Sequence, residues 1–124
     1  MNLQRKSYPF LPEAAGPYAH AVKHGSTLYI SGLTAFGTPS QSGTAQEQAE
    51  EILHQIASIA VEEGSDLRNL VKVTIFVTDL KGLTNLRQLL SQAYGVHLPA
   101  SSLIEVKSLF NPDLKVEIEA ILAI

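Results

Sequence analysis

Apolar residues recur along this chain with two different periods, and the changes of period mark its elements. Ala45, Ala49, Ile52, Leu53, Ile56, Ile59 and Ala60 follow helical spacing. Thr44, with Glu47 three positions later, forms a capping-box pattern at the start of this run, and Gly64 is placed to close its end. Leu83, Leu86, Leu89, Leu90 and Ala93 predict a second helix over 83–94, ended by Gly95. Four segments alternate apolar and polar residues with period two and predict half-buried strands: 28–33, 71–80, 102–108 and 116–124. Weaker strand signals sit at Ser7-Tyr8 and at 19–23.

Each strand carries one apolar face for the helices to cover. On the third-last and last of these strands that face reads Val71, Val73, Ile75 and Val77, and Val116, Ile118, Ala120, Leu122 and Ile124; Ile104 and Val106 supply it on the strand between. The opposite face is mixed, with Tyr29, Phe76, Leu103 and Ile121 among Lys72, Lys107, Glu105, Glu117 and Glu119. An antiparallel sheet can leave such a face to water. Aromatic and aliphatic residues interleaved with both charge signs fit self-association better. The one Gly-, Pro- and Ser-rich stretch, 37–43, is too short to separate two units, so 124 residues read as a single α+β domain over 1–124.

Composition narrows the chemistry. With no cysteine, disulfides, thiolate nucleophiles and zinc–sulfur sites are excluded. His20, His24, His54 and His97 show no metal-ligand spacing, and His20 reads as a surface histidine near a turn. No metal or cofactor is expected. Nine Lys and Arg against twelve Asp and Glu give a net charge of −3, which argues against a nucleic-acid partner. The amino terminus lacks the apolar core of a secretory leader, and no run is long enough to span a bilayer, so the expected location is the cytosol, away from membranes.

Five ordered words span nearly the whole chain after residue 12: Gly16-Pro17-Tyr18, Tyr29-Ile30-Ser31-Gly32, the run from Val71 to Asp79, Leu98-Pro99-Ala100, and the run from Val116 to Ile121. In this order and spacing they resemble the RidA/YjgF family, also known as endoribonuclease L-PSP, whose members are enamine/imine deaminases. The resemblance implies a chorismate-mutase-like α+β fold, a mixed or antiparallel sheet with two helices on one face. It also implies a homotrimer with clefts between subunits that bind small 2-imino or 2-keto acids. Carried over by position, Glu117, Tyr18 and Ser31 would be catalytic. A carboxylate on a rigid strand suits the handling of water and protons in imine hydrolysis, and the hydroxyls position substrate or water.

The sequence departs from the family pattern where active deaminases carry an arginine for the substrate carboxylate. Here Ser101 follows Pro99-Ala100, and serine cannot form the paired, charge-assisted clamp. Such a loss costs about 2–5 kcal/mol in a desolvated site. Leu103 stands where a cysteine is frequent and makes the expected cleft floor more apolar. Arg87, at a helix position where active relatives often carry asparagine, could replace the missing charge, but it reads first as an ordinary arginine on the helix flank that lays its stem over apolar surface. The functional expectations are therefore a hydrolytic imine deaminase with Arg87, Ser101 and Leu103 as substrate-binding positions, a non-catalytic small-carboxylate-binding or regulatory trimer, and, third, a ribonuclease or translation inhibitor.

Overall fold

The computed structural model describes residues 2–124. Its elements are β1 (Leu3–Lys6), β2 (Ala21–His24), β3 (Thr27–Leu33), α1 (Ala45–Glu62), β4 (Leu70–Val77), α2 (Leu83–Tyr94), β5 (Ala100–Glu105) and β6 (Val116–Ala123), with a short 3-10 turn at Leu67–Asn69 before β4. The strands form one six-stranded sheet in the order β1-β2-β3-β6-β4-β5. Only β4 and β5 are parallel; every other neighbouring pair is antiparallel. No helix among the described residues is long and apolar enough to cross a membrane.

This order explains why the sheet has a covered side and a bare side. Strand β6 lies between β3 and β4, so the chain passes from β3 through α1 to β4, and then through α2 to β5, moving toward the same edge both times. Crossovers between parallel strands are right-handed, so two such moves in one direction place both helices over one face. Leu28, Ile75, Ile118 and Leu122 from the sheet and Ile52, Ile56 and Ile59 from α1 are fully buried between the layers. Each such side chain stabilises by about 1.5–3 kcal/mol relative to exposure.

The helices form where the apolar spacing places them. Thr44 Oγ accepts from the Glu47 N–H at 3.1 Å while Glu47 Oε1 accepts from the Thr44 N–H at 3.0 Å, completing the capping box. Gly64 follows the end of α1 with φ +76, a conformation that glycine adopts without strain. Gln48, fully buried on α1, ties three segments together. Its amide nitrogen reaches the carbonyls of Gln41, Gly43 and Asp113, and its oxygen accepts from the Lys115 N–H at 2.8 Å. This clamp fixes the chain immediately before β6.

Several expectations shift. The first strand is Leu3–Lys6, ahead of the expected Ser7-Tyr8, and β2 begins at Ala21 instead of residue 19. Val71 does not share the core face: the β4–β6 pairing steps from Leu70↔Leu122 to Lys72↔Ile121, a bulge that turns Leu70 inward and leaves Val71 50% exposed. The fifth strand spans Ala100–Glu105, and its faces are the reverse of those read from the pattern. Pairing with β4 sets Ser101 opposite Val73 and Leu103 opposite Ile75, so Leu103 packs against the core and leaves the mixed face. Ile104, opposite Phe76, lies 43% exposed on the bare side. A one-residue change of register exchanges the two faces, and the core takes the leucine.

Tyr94, at the end of α2, is 9% exposed and its hydroxyl has no hydrogen-bond partner among the described residues. Burial pushes this phenol up to about 12. Replacing Tyr94 by Phe removes an unsatisfied buried group and is expected to raise stability by about 1 kcal/mol in a denaturant titration. A fall in stability would mean that the hydroxyl is bonded after all.

Candidate functional site

The bare face of the sheet carries a concavity of about 580 Å³, lined by Ala15, Tyr18, Ser31, Gly32, Phe76, Phe110, Glu117 and Glu119. Three candidate catalytic residues from three different parts of the chain therefore meet in one place. Backbone irregularity puts them there. The β3–β6 register advances three residues from Ile30 to Leu33 against two from Ala120 to Ile118, a bulge at Ser31-Gly32. Bulges of this kind re-aim side chains beside functional sites. Ser31 donates its hydroxyl proton to the Ala19 carbonyl at 2.7 Å, and its N–H donates to the His20 carbonyl at 3.0 Å. The serine oxygen is thus held firmly, with its lone pairs still able to accept.

Gly32 leaves room for the Glu117 carboxyl in its present position. A Cβ built on Gly32 would stand 2.8 Å from the Glu117 carboxyl carbon, closer than such atoms approach. The half-buried carboxyl lies directly against the glycine backbone. Burial pushes the Glu117 carboxyl above the usual carboxylate range, and the charge of Glu119 on the same strand face pushes it further.

Tyr18 sits on a tight turn, its N–H donating to the Gly16 carbonyl at 2.9 Å. Its hydroxyl accepts from the Ala15 N–H at 3.3 Å and keeps its own proton free to donate. The segment bearing it is anchored by His20, which is buried and not on the surface as the sequence suggested. His20 Nδ1 accepts from the Tyr8 N–H at 2.9 Å, which places the ring proton on Nε2, 3.0 Å from the Pro12 carbonyl. The imidazole therefore staples residues 8–12 to the strand that follows Tyr18.

Arg87, Ser101 and Leu103 are not part of this concavity. Arg87 is exposed on α2, in the helix layer; Ser101 is exposed on the edge strand β5; and Leu103 is turned into the core. Sequence reading missed Phe110 and Phe76 as walls of the site. The Phe110 ring is steadied by an edge-on contact with Phe36, with centroids 5.1 Å apart. Phe76 lies in the word from Val71 to Asp79 and on the mixed face, a pattern that does not assign it to a site, and Phe110 belongs to no word.

The sequence profile of the family described as Endoribonuclease L-PSP matches residues 10–124. The chain belongs to the RidA/YjgF family. Among RidA/YjgF relatives, the human 2-iminobutanoate/2-iminopropanoate deaminase is 31% identical over 113 residues, covering 89% of this chain and 82% of the relative. The mitochondrial protein MMF1 of Saccharomyces cerevisiae is 33% identical over 114 residues, covering 89% and 78%. The crystal structure of RidA from the Antarctic bacterium Psychrobacter superposes with a TM-score of 0.88 at 32% identity, covering 98% of this chain and 99% of that one. This agreement supports the RidA/YjgF α+β sheet with two helices on one face.

Proposed function

We propose that three copies of this chain pack through their bare sheet faces, and that each Glu117 concavity becomes an intersubunit cleft where the C=N bond of a small imine or enamine is hydrolysed. The observation carrying this reading is Glu117 itself: a half-buried carboxyl with raised proton affinity, seated on Gly32 beside the hydroxyls of Tyr18 and Ser31. An acid–base group works best when its pKa lies near the working pH, and burial moves Glu117 in that direction.

In this mechanism Glu117 takes a proton from water as the water oxygen attacks the imine carbon. The C=N π electrons move to nitrogen. Glu117 returns that proton to nitrogen, giving a carbinolamine; it then takes the hydroxyl proton and delivers it to nitrogen as the carbonyl forms, the C–N bond breaks and ammonia leaves. Tyr18 donates a hydrogen bond to the substrate, and Ser31 accepts one from the water. Arg87 and Ser101, which lie outside the concavity of their own chain, would reach such a cleft only from a neighbouring copy.

The purified protein should accelerate ammonia release from imines generated in situ by an amino-acid oxidase. No acceleration over buffer across several amino acids would reject the reading. Gly32→Ala should lower that acceleration about 10- to 100-fold, since a catalytic group displaced by about 1 Å can lose this much. Circular dichroism checks that the fold persists.

A second reading is favoured by Ser101: the same trimer binds its ligand without turnover, because the family arginine is missing. Ligand-induced thermal stabilisation with no ammonia release would support it. The ribonuclease reading fares worst, because Glu117 and Glu119 both line the concavity and would repel a phosphodiester.

A further inference from the structure

We infer that the Glu117 concavity selects a small organic cation, an iminium or ammonium group bearing an apolar substituent and no carboxylate. This rests on the reading of that concavity as the ligand site and names the class of molecule that fits it. Two carboxylates two positions apart on β6, Glu117 and Glu119, line the same hollow. Among the described residues neither is in a salt bridge; the ion pairs are Lys6–Glu63 and Arg68–Asp66. Lys72, on the same sheet face, places its ammonium 3.4 Å from Ser102 Oγ and does not line the hollow.

Three of the six other lining residues are aromatic. Tyr18, Phe76 and Phe110 line the concavity, and the ring faces of such residues attract a cation while their bodies bury an apolar group. A carboxylate ligand would meet two like charges here and, in this chain's own lining, no cation. A protonated imine meets two counter-charges and three rings. The same Glu117 that stabilises the iminium is the base that the hydrolytic step requires, so binding and chemistry share one group. The Ser101 substitution then follows: a ligand without a carboxylate needs no arginine at that position.

Calorimetric titration of the full-length protein with benzylammonium, benzoate and benzyl alcohol tests the inference without turnover. Benzylammonium should bind at least tenfold more tightly than benzoate, with benzyl alcohol between them. The double variant Glu119→Gln with Glu117→Gln should lose at least tenfold in benzylammonium affinity while its affinity for benzyl alcohol changes little. Benzoate binding as tightly as benzylammonium, no benzylammonium binding up to millimolar concentrations, or an affinity unchanged in the double variant would each overturn it. Imines made by an amine oxidase, compared with those made by an amino-acid oxidase, separate the two proposals. Hydrolysis confined to the carboxylate-bearing imines defeats the cation inference and leaves the deaminase reading standing. Cation binding without hydrolysis of either kind does the reverse.

Discussion

Glu117→Gln is expected to lower imine hydrolysis by about 100- to 10,000-fold, the usual contribution of a positioned acid–base group, while the folded protein gains stability at neutral pH. The two effects have one cause. In the native state Glu117 is half-buried and faces Glu119, so its carboxyl holds its proton to a higher pH than an unfolded chain would. A carboxyl whose folded pKa is raised favours the native state below the unfolded pKa. That advantage is lost as pH rises through the folded pKa, and at pH 7 the ionised group weighs against folding. Glutamine keeps the shape and removes the charge. Denaturant titrations at pH 4 and pH 7 should show the gain chiefly at pH 7, alongside the loss of ammonia release. Unchanged turnover would remove Glu117 from the mechanism. A gain that is the same at both pH values would show that its burial carries no electrostatic cost.

The joint replacement Ile104→Glu with Tyr29→Glu should break the assembly. These residues are 43% and 48% exposed on the bare sheet face in the single chain, and neither lines the Glu117 hollow. Apolar surface gathered on one side of a sheet is what an isologous or cyclic assembly buries, and charges forced into such a contact are left unpaired. Light scattering should report three times the 13.4 kDa chain mass for the parent and the single-chain mass for the variant. Imine turnover should fall with the assembly, although all the Glu117 neighbours remain. A parent already running at the mass of one chain would end the trimer proposal. A variant that stays assembled would place the contact elsewhere.

The helices were legible in the sequence because local signals decide them. The Thr44–Glu47 box and the stripe to Ala60 mark α1 almost to the residue, and Leu83 to Tyr94 coincides with α2. Strand faces depend on partners, and there the reading slipped. Nothing near Val71 announces the bulge that swaps it for Leu70. On β5, Leu103 and Ile104 are equally apolar, and only pairing with β4 decides which faces the core. The site divides in the same way. Tyr18, Ser31 and Glu117 sit in words distinctive enough to recognise, and they converge. Phe110 lies on a loop with no periodicity, and His20 is buried through backbone contacts to Tyr8 and Pro12 that no spacing rule anticipates.

With α1 and α2 both laid over one surface by two crossovers in the same direction, this scaffold separates durability from chemistry. On the proposed function, exchanging Phe76, Phe110 or Glu119 would alter what the hollow prefers without reopening the interior that Ile56 and Ile118 fill. New ligand preferences can therefore arise by changing one side of the sheet while the other is left alone.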